Sequence, residues 1–137
     1  MKKIHYLLSF LILLTSCQER HPAPFQDITG VYFNNTSGSM TVTDCLDVTF
    51  VYEASDQVEV PVRVQLLGRA SDEARPIGMT VTSDNAEEGV DYILPDSAVL
   101  PAGASSTDYV VTLKRTEALK SEKTMILLQI HANEHFD

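Results

Sequence analysis

One run of side chains carries the spacing of a metal-dependent catalyst. His131-Ala132-Asn133-Glu134-His135 matches the inverted zinc motif H-x-x-E-H letter for letter. That chemistry needs both histidines on one helical face, a third ligand further along and a carboxylate beside the metal-bound water. Here the motif follows strand-patterned Met125 to Ile130, and only Phe136 and Asp137 come after it. The residues therefore read as a polar strand end and loop. The other histidines are His5 and His21, both in the N-terminal leader region, so no Ser-His-Asp set assembles, and there is no glycine-rich phosphate loop. No enzyme is expected.

The second chemistry belongs to a cysteine. Lys2 and Lys3 precede an apolar stretch from Tyr6 to Leu14, too short for the roughly 20 residues a membrane span needs and right for a signal h-region. Leu14-Thr15-Ser16-Cys17 follows and resembles a bacterial lipobox. That resemblance implies cleavage after Ser16 and a triacylated Cys17. Each buried methylene contributes roughly 0.8 kcal/mol, so several chains hold a protein on a leaflet where one does not. Residues 1–16 then form a signal peptide. Residues 17–27, with Pro22 and Pro24 and no apolar periodicity, form the lipidated cysteine and an extended tether. The expected location is the outer membrane, lipid-anchored, with the face left open.

Cleavage removes two of the ten basic residues and none of the nineteen acids, leaving a net charge of −11 on 121 residues. That field repels phosphate backbones, so nucleic acid is not an expected partner, and it keeps a tethered domain soluble. The length suits one domain with a core. Once Cys17 is acylated, Cys45 has no partner within the chain and reads as a small, half-buried strand residue.

Residues 28–137 show strand patterns separated by turn residues. The clearest is Val58, Val60, Val62, Val64 and Leu66, alternating strictly with Glu59, Pro61, Arg63 and Gln65. Period two over nine residues means a half-buried strand, and Pro61 within it predicts an edge position or a bulge. Further strands are expected at 28–33, 46–52, 77–82, 97–100, 109–113 and 125–130, with one helical turn at 116–122. Seven short strands predict an all-β, antiparallel Ig-like sandwich. Tyr32 and Tyr109 are the expected core tyrosines, while Phe25 and Phe136 fall outside the strands and are expected at the surface.

Residues 85–116 narrow this further. Ala86, Gly89, Asp91 and Tyr92, then Pro101-Ala102-Gly103, then the strand from Tyr109 to Leu113 resemble the core of Calx-beta-type domains. Gly89 and Gly103 supply backbone freedom at turns, Asp91 can fold onto turn N–H groups, and Tyr92 offers an apolar body with a polar tip. Together with the lipobox, Tyr32-Phe33-Asn34, the 68–76 loop and Leu113-Lys114-Arg115-Thr116, the chain resembles a lipoprotein family of Bacteroides-type bacteria known as a domain of unknown function. Many of its members lie beside glycan-uptake systems of the SusC/SusD type, and they run on past the strand matching 125–130. The resemblance therefore implies a Calx-beta-like sandwich, expected either as a single-domain member of the family or as a truncated member of a longer one.

Calx-beta relatives hold calcium at one end of the sandwich, which makes Asp84, Glu87, Glu88 and Asp91 the candidate ligands here. Calcium takes six to eight oxygens. Where the calcium-binding relatives close the next strand with an Asp pair, this chain has Lys114 and Arg115, with only Glu117 and Glu122 beyond. The expectation is a solvated acidic loop and no cofactor. Aromatic platforms for sugars are not evident, since tryptophan is absent. What the family resemblance implies is a non-catalytic binding or accessory module, with a polysaccharide or an outer-membrane protein as partner. The alternative is a structural spacer without a ligand.

Overall fold

The computed structural model describes residues 28–36 and 42–137; the signal segment, Cys17, the tether and Phe25 lie outside the described residues. Eight strands follow in order: β1 (Gly30–Phe33), β2 (Gln57–Leu67), β3 (Arg75–Pro76), β4 (Met79–Thr82), β5 (Tyr92–Ile93), β6 (Val99–Leu100), β7 (Ser106–Lys114) and β8 (Leu127–Ile130). A 3-10 turn at Glu117–Lys120 is the one helical element among them. The protein is an all-β antiparallel sandwich, with eight strands among the described residues where seven were expected.

Its main sheet has the order β1-β2-β7-β5, and two-stranded ladders β3-β6 and β4-β8 complete the fold. The backbone of the structure is β2 against β7, paired over nine residues from Gln57↔Lys114 to Gln65↔Ser106. Alternation in β2 holds as read: Val62, Val64 and Leu66 are buried while Glu59, Pro61 and Arg63 are exposed. Tyr109 and Val111 of β7 bury the matching face. Across the core, Met79↔Ile130 and Val81↔Leu128 of the β4-β8 ladder supply half-buried apolar pairs.

Three expectations are corrected by packing. Residues 46–52 form no strand, and Leu46, Val48, Val51 and Tyr52 are exposed. What holds the nearby chain is a cation. Arg115 Nη2 donates to the carbonyls of Phe50, Glu53 and Ser55 at 3.2, 2.6 and 3.2 Å, and its guanidinium lies 5.4 Å from the Phe50 ring. Cys45, in the same irregular segment, is exposed and not half-buried. Carbonyls satisfied by Arg115 have no need of a strand partner.

The second correction concerns Pro61. Its strand is not an edge strand, because β2 has β1 on one side and β7 on the other. Arg63 exchanges bonds with the β1 side, accepting from Asn34 N–H at 2.9 Å and donating its own N–H to Asn35 Oδ1 at 2.8 Å. Pro61, two residues earlier, faces the same way, and β1 pairs only with residues 64–67. The proline therefore sits on a locally open side of an internal strand, where no ladder bond is lost.

The third correction exchanges two aromatics. Tyr32 is 42 % exposed on the outer face, whereas Phe136 is 2 % exposed and packs with Val64, Leu66, Ile77 and Leu100. The loop around Phe136 is built to insert it: Asn133 Oδ1 accepts from the N–H groups of His135 and Phe136 at 2.8 and 3.0 Å, Asn133 Nδ2 donates to Pro76 C=O at 2.9 Å, and Asp137 N–H donates to Thr29 C=O at 2.9 Å. Arg75 lies over the Phe136 ring at 4.7 Å. Phe136→Ala should cost about 3–5 kcal/mol of stability, the usual range for a buried phenylalanine. A denaturant melt checks this, and a loss below about 1 kcal/mol would contradict a core role.

Candidate binding face

The acidic turn has a closely defined geometry. Gly89 has φ +86°, where an L side chain is strained, and its N–H donates to Tyr92 C=O at 2.7 Å. Asp91 folds back as its type suggests: Oδ2 accepts from Glu87 N–H at 2.9 Å and Oδ1 accepts from Thr116 Oγ1 at 2.8 Å. These two bonds, the backbone one foremost, hold the Asp91 carboxyl below its ordinary pKa. Lys114 extends Nζ to Gly89 C=O at 2.7 Å. The Lys114 cation thus caps this turn. Tyr92 is buried against Val62, Tyr109 and Val111. Burial raises the pKa of the Tyr109 hydroxyl, and the nearby Glu88 carboxylate adds to the effect. At the other turn Gly103, φ +72°, donates to Ser71 C=O at 2.7 Å.

Asp84, Glu87, Glu88 and Asp91 therefore share a stretch of chain without converging as a ligand set. Among the described residues no group of three or more His, Cys, Asp or Glu side chains is placed to hold a metal. The H-x-x-E-H run is not helical: His131 follows β8 with its Nδ1 3.5 Å from Thr80 Oγ1, and His135 Nε2 is 3.4 Å from Glu134 Oε1. The two histidines serve separate local contacts.

What the fold does bring together is polar and lies on the outer face of the main sheet. Register places Arg63 of β2 opposite Asp108 of β7 and Tyr32 of β1 opposite Gln65 of β2. The Arg63 guanidinium meets the carboxylate as a fork, Nε to Oδ1 at 3.0 Å and Nη2 to Oδ2 at 3.5 Å, which also raises the arginine's pKa. Asn34 Nδ2 donates to Gln65 Oε1. A groove of about 230 Å³ runs between Asn34, Asn35, Thr36, Leu46, Arg63 and Asp108. Planar amide, guanidinium and carboxylate groups thus line a groove with a half-exposed tyrosine on the same face.

A family profile for a domain of unknown function, DUF4843, matches residues 25–137. The chain belongs to the DUF4843 family. Comparison with curated proteins finds no match, and comparison with solved structures finds none. Among the described residues of this DUF4843 domain, no helix is long and apolar enough to cross a membrane.

Sequence reasoning missed the Arg63–Asp108 pair because 45 residues separate its members and only strand register joins them. The polar half of the β2 alternation, Glu59, Arg63 and Gln65, was the available signal. Asn34 and Asn35 lie just past the strand expected at 28–33, and Tyr32 is expected in the core.

The Asp91 turn makes a pH prediction. Its carboxyl is depressed when folded, so its contribution is present above the unfolded pKa near 4 and is lost as pH falls through the lower folded value. Asp91→Ala should lower the melting temperature by a few degrees at pH 7, and the gap to the parent chain should close on acidification below about pH 4. A gap independent of pH would assign the loss to packing.

Proposed function

We propose that this DUF4843 domain is a lipid-anchored envelope protein of Calx-beta-like architecture that acts as a non-catalytic glycan-binding module, accessory to a SusC/SusD-type uptake system. The outer-face groove carries the reading. A sugar presents adjacent hydroxyls that each donate and accept, and side chains such as Asn, Arg and Asp engage two of them at once because their polar atoms are paired and planar. Tyr32 offers an amphipathic ring edge or face beside them. Arg63 and Asp108 already hold one another in place, so little side-chain freedom is lost on binding.

Charge selects among glycans. The Arg63–Asp108 pair is neutral as a unit, and the whole chain carries −9, so a polysaccharide rich in uronate or sulfate is repelled while a neutral one is not. The lipobox at Cys17 supports the anchored part of the reading, since a tethered domain meets polymers at the envelope surface.

Two experiments test this. Affinity electrophoresis of the full chain in detergent through gels containing neutral glucans, mannans or galactans should show retardation in at least one, with uronate polymers inert. Arg63→Ala and Tyr32→Ala should each weaken retention about tenfold or more, consistent with the loss of roughly 1.4 kcal/mol from one anchoring contact. Uniform mobility in every gel would overturn the glycan reading and favour a spacer. Separately, metabolic labelling with an alkynyl fatty acid should mark the chain and fail on Cys17→Ala; an equal signal in both would remove the anchor.

A further inference from the structure

We propose that the outer edge of β7 is a docking site where an extended, lysine-bearing polypeptide segment of a partner protein adds as a strand. Alternation fixes which backbone groups are offered. Leu66 N–H donates to Ser105 C=O at 2.9 Å, so residues 107, 109, 111 and 113 of β7 exchange their bonds with β2. Residues 108, 110, 112 and 114 face the other side. There β5 satisfies only part of the strand: Lys114 N–H donates to Asp91 C=O at 2.8 Å and Ile93 is opposite Thr112.

The same register carried two residues on puts Pro95 opposite Val110. Proline has no N–H to give, and the ladder stops there. The backbone N–H and C=O groups of Asp108 and Val110 consequently have no strand or loop partner among the described residues. They border a groove of about 240 Å³ with Pro95, Ser97 and Val99 along one wall and Asp108, Tyr109 and Val110 along the other. A sheet edge with free main-chain groups beside a groove is the geometry used in strand addition. There main-chain bonds give affinity and side-chain contacts give selectivity.

Charge names the occupant. Asp96, exposed in the chain between Pro95 and Ser97 of the far wall, has no ion-pair partner among the described residues, whereas Asp108 is already neutralised by Arg63. With nineteen acids against ten basic residues in the chain, a cationic segment is drawn in. A second copy would bring two like fields and two Asp96 carboxylates together. The site shares Asp108 with the outer-face groove, while Arg63, Asn34 and Asn35 border only the latter.

The test uses the full chain in detergent micelles and a fluorescein-labelled hexapeptide, Lys-Thr-Val-Thr-Val-Lys, read by fluorescence anisotropy. Saturable binding is expected. It should weaken at least tenfold when alternate peptide nitrogens are methylated, when both lysines are replaced by glutamate, and in Asp96→Lys. Val110→Pro should do the same. It removes an edge-facing N–H and no β2 bond, and Asp96→Lys decides the matter should that variant melt early. A photo-crosslinking version should map to residues 95–99 or 106–110. Absent binding, equal affinity of the methylated peptide, or cross-links confined to β1 would each overturn the proposal. So would a concentration-dependent dimer in sedimentation velocity that Val110→Pro abolishes, which would give the edge to a second copy.

Discussion

The nine-residue pairing of β2 with β7 is the constraint on which the rest of the molecule depends. It sets the core and the outer face in one step. With Val62 opposite Tyr109 and Val60 opposite Val111, the apolar faces of both strands turn the same way. Each buried aliphatic side chain contributes roughly 1.5–3 kcal/mol. The same register brings Arg63 to Asp108 on the reverse side. A slip of one residue would bury the charges and expose the valines, so the hydrophobic requirement alone fixes the polar constellation. The outer face inherits its geometry from the core.

Two prolines then decide where that central pair is left open. Pro61 faces away from β7 beyond the last residue of β1, and Pro95 stands where β5 would have continued along β7. Both lie next to a groove: Pro61 borders the one with Arg63 and Asp108, Pro95 the one along the β7 edge. A missing N–H stops a ladder without disturbing the strand on the far side. The sheet is thereby narrowed at opposite corners while its centre stays continuous. Asp108 belongs to both grooves.

Most of the architecture was legible because alternation is a strong signal. Five apolar residues at period two located β2 within one residue of each end, and the Gly89, Asp91 and Tyr92 types anticipated a turn that the hydrogen bonds now describe. The failures have a common cause. Residues 46–52 are β-rich in composition, yet Arg115, more than sixty residues away, takes the carbonyls of Phe50, Glu53 and Ser55. Phe136 lies outside any periodic segment, and it reaches the core only because Asn133 bends the chain. Tyr32 carried an aromatic's expectation of burial but falls on the outward parity of a short strand. Local pattern reports which residues alternate; it is silent on which distant side chain satisfies a loop.

The two ends of the polar inventory behave differently. At the acidic turn two groups are consumed internally: both Asp91 oxygens are bonded within the fold, and Lys114 is bonded to Gly89 C=O. Polar atoms satisfied by their own turn have little left for a ligand. On the outer face the fork of Arg63 and Asp108 is 55 % and 40 % exposed, held in orientation by its partner and still open to solvent. A preorganised but unburied set of donors and acceptors can exchange water for a polar ligand at small entropic cost. In this fold Asp91 and Lys114 of the charged loop are tied into the scaffold, and the exposed polar face is the plain reverse of the strand that builds the core.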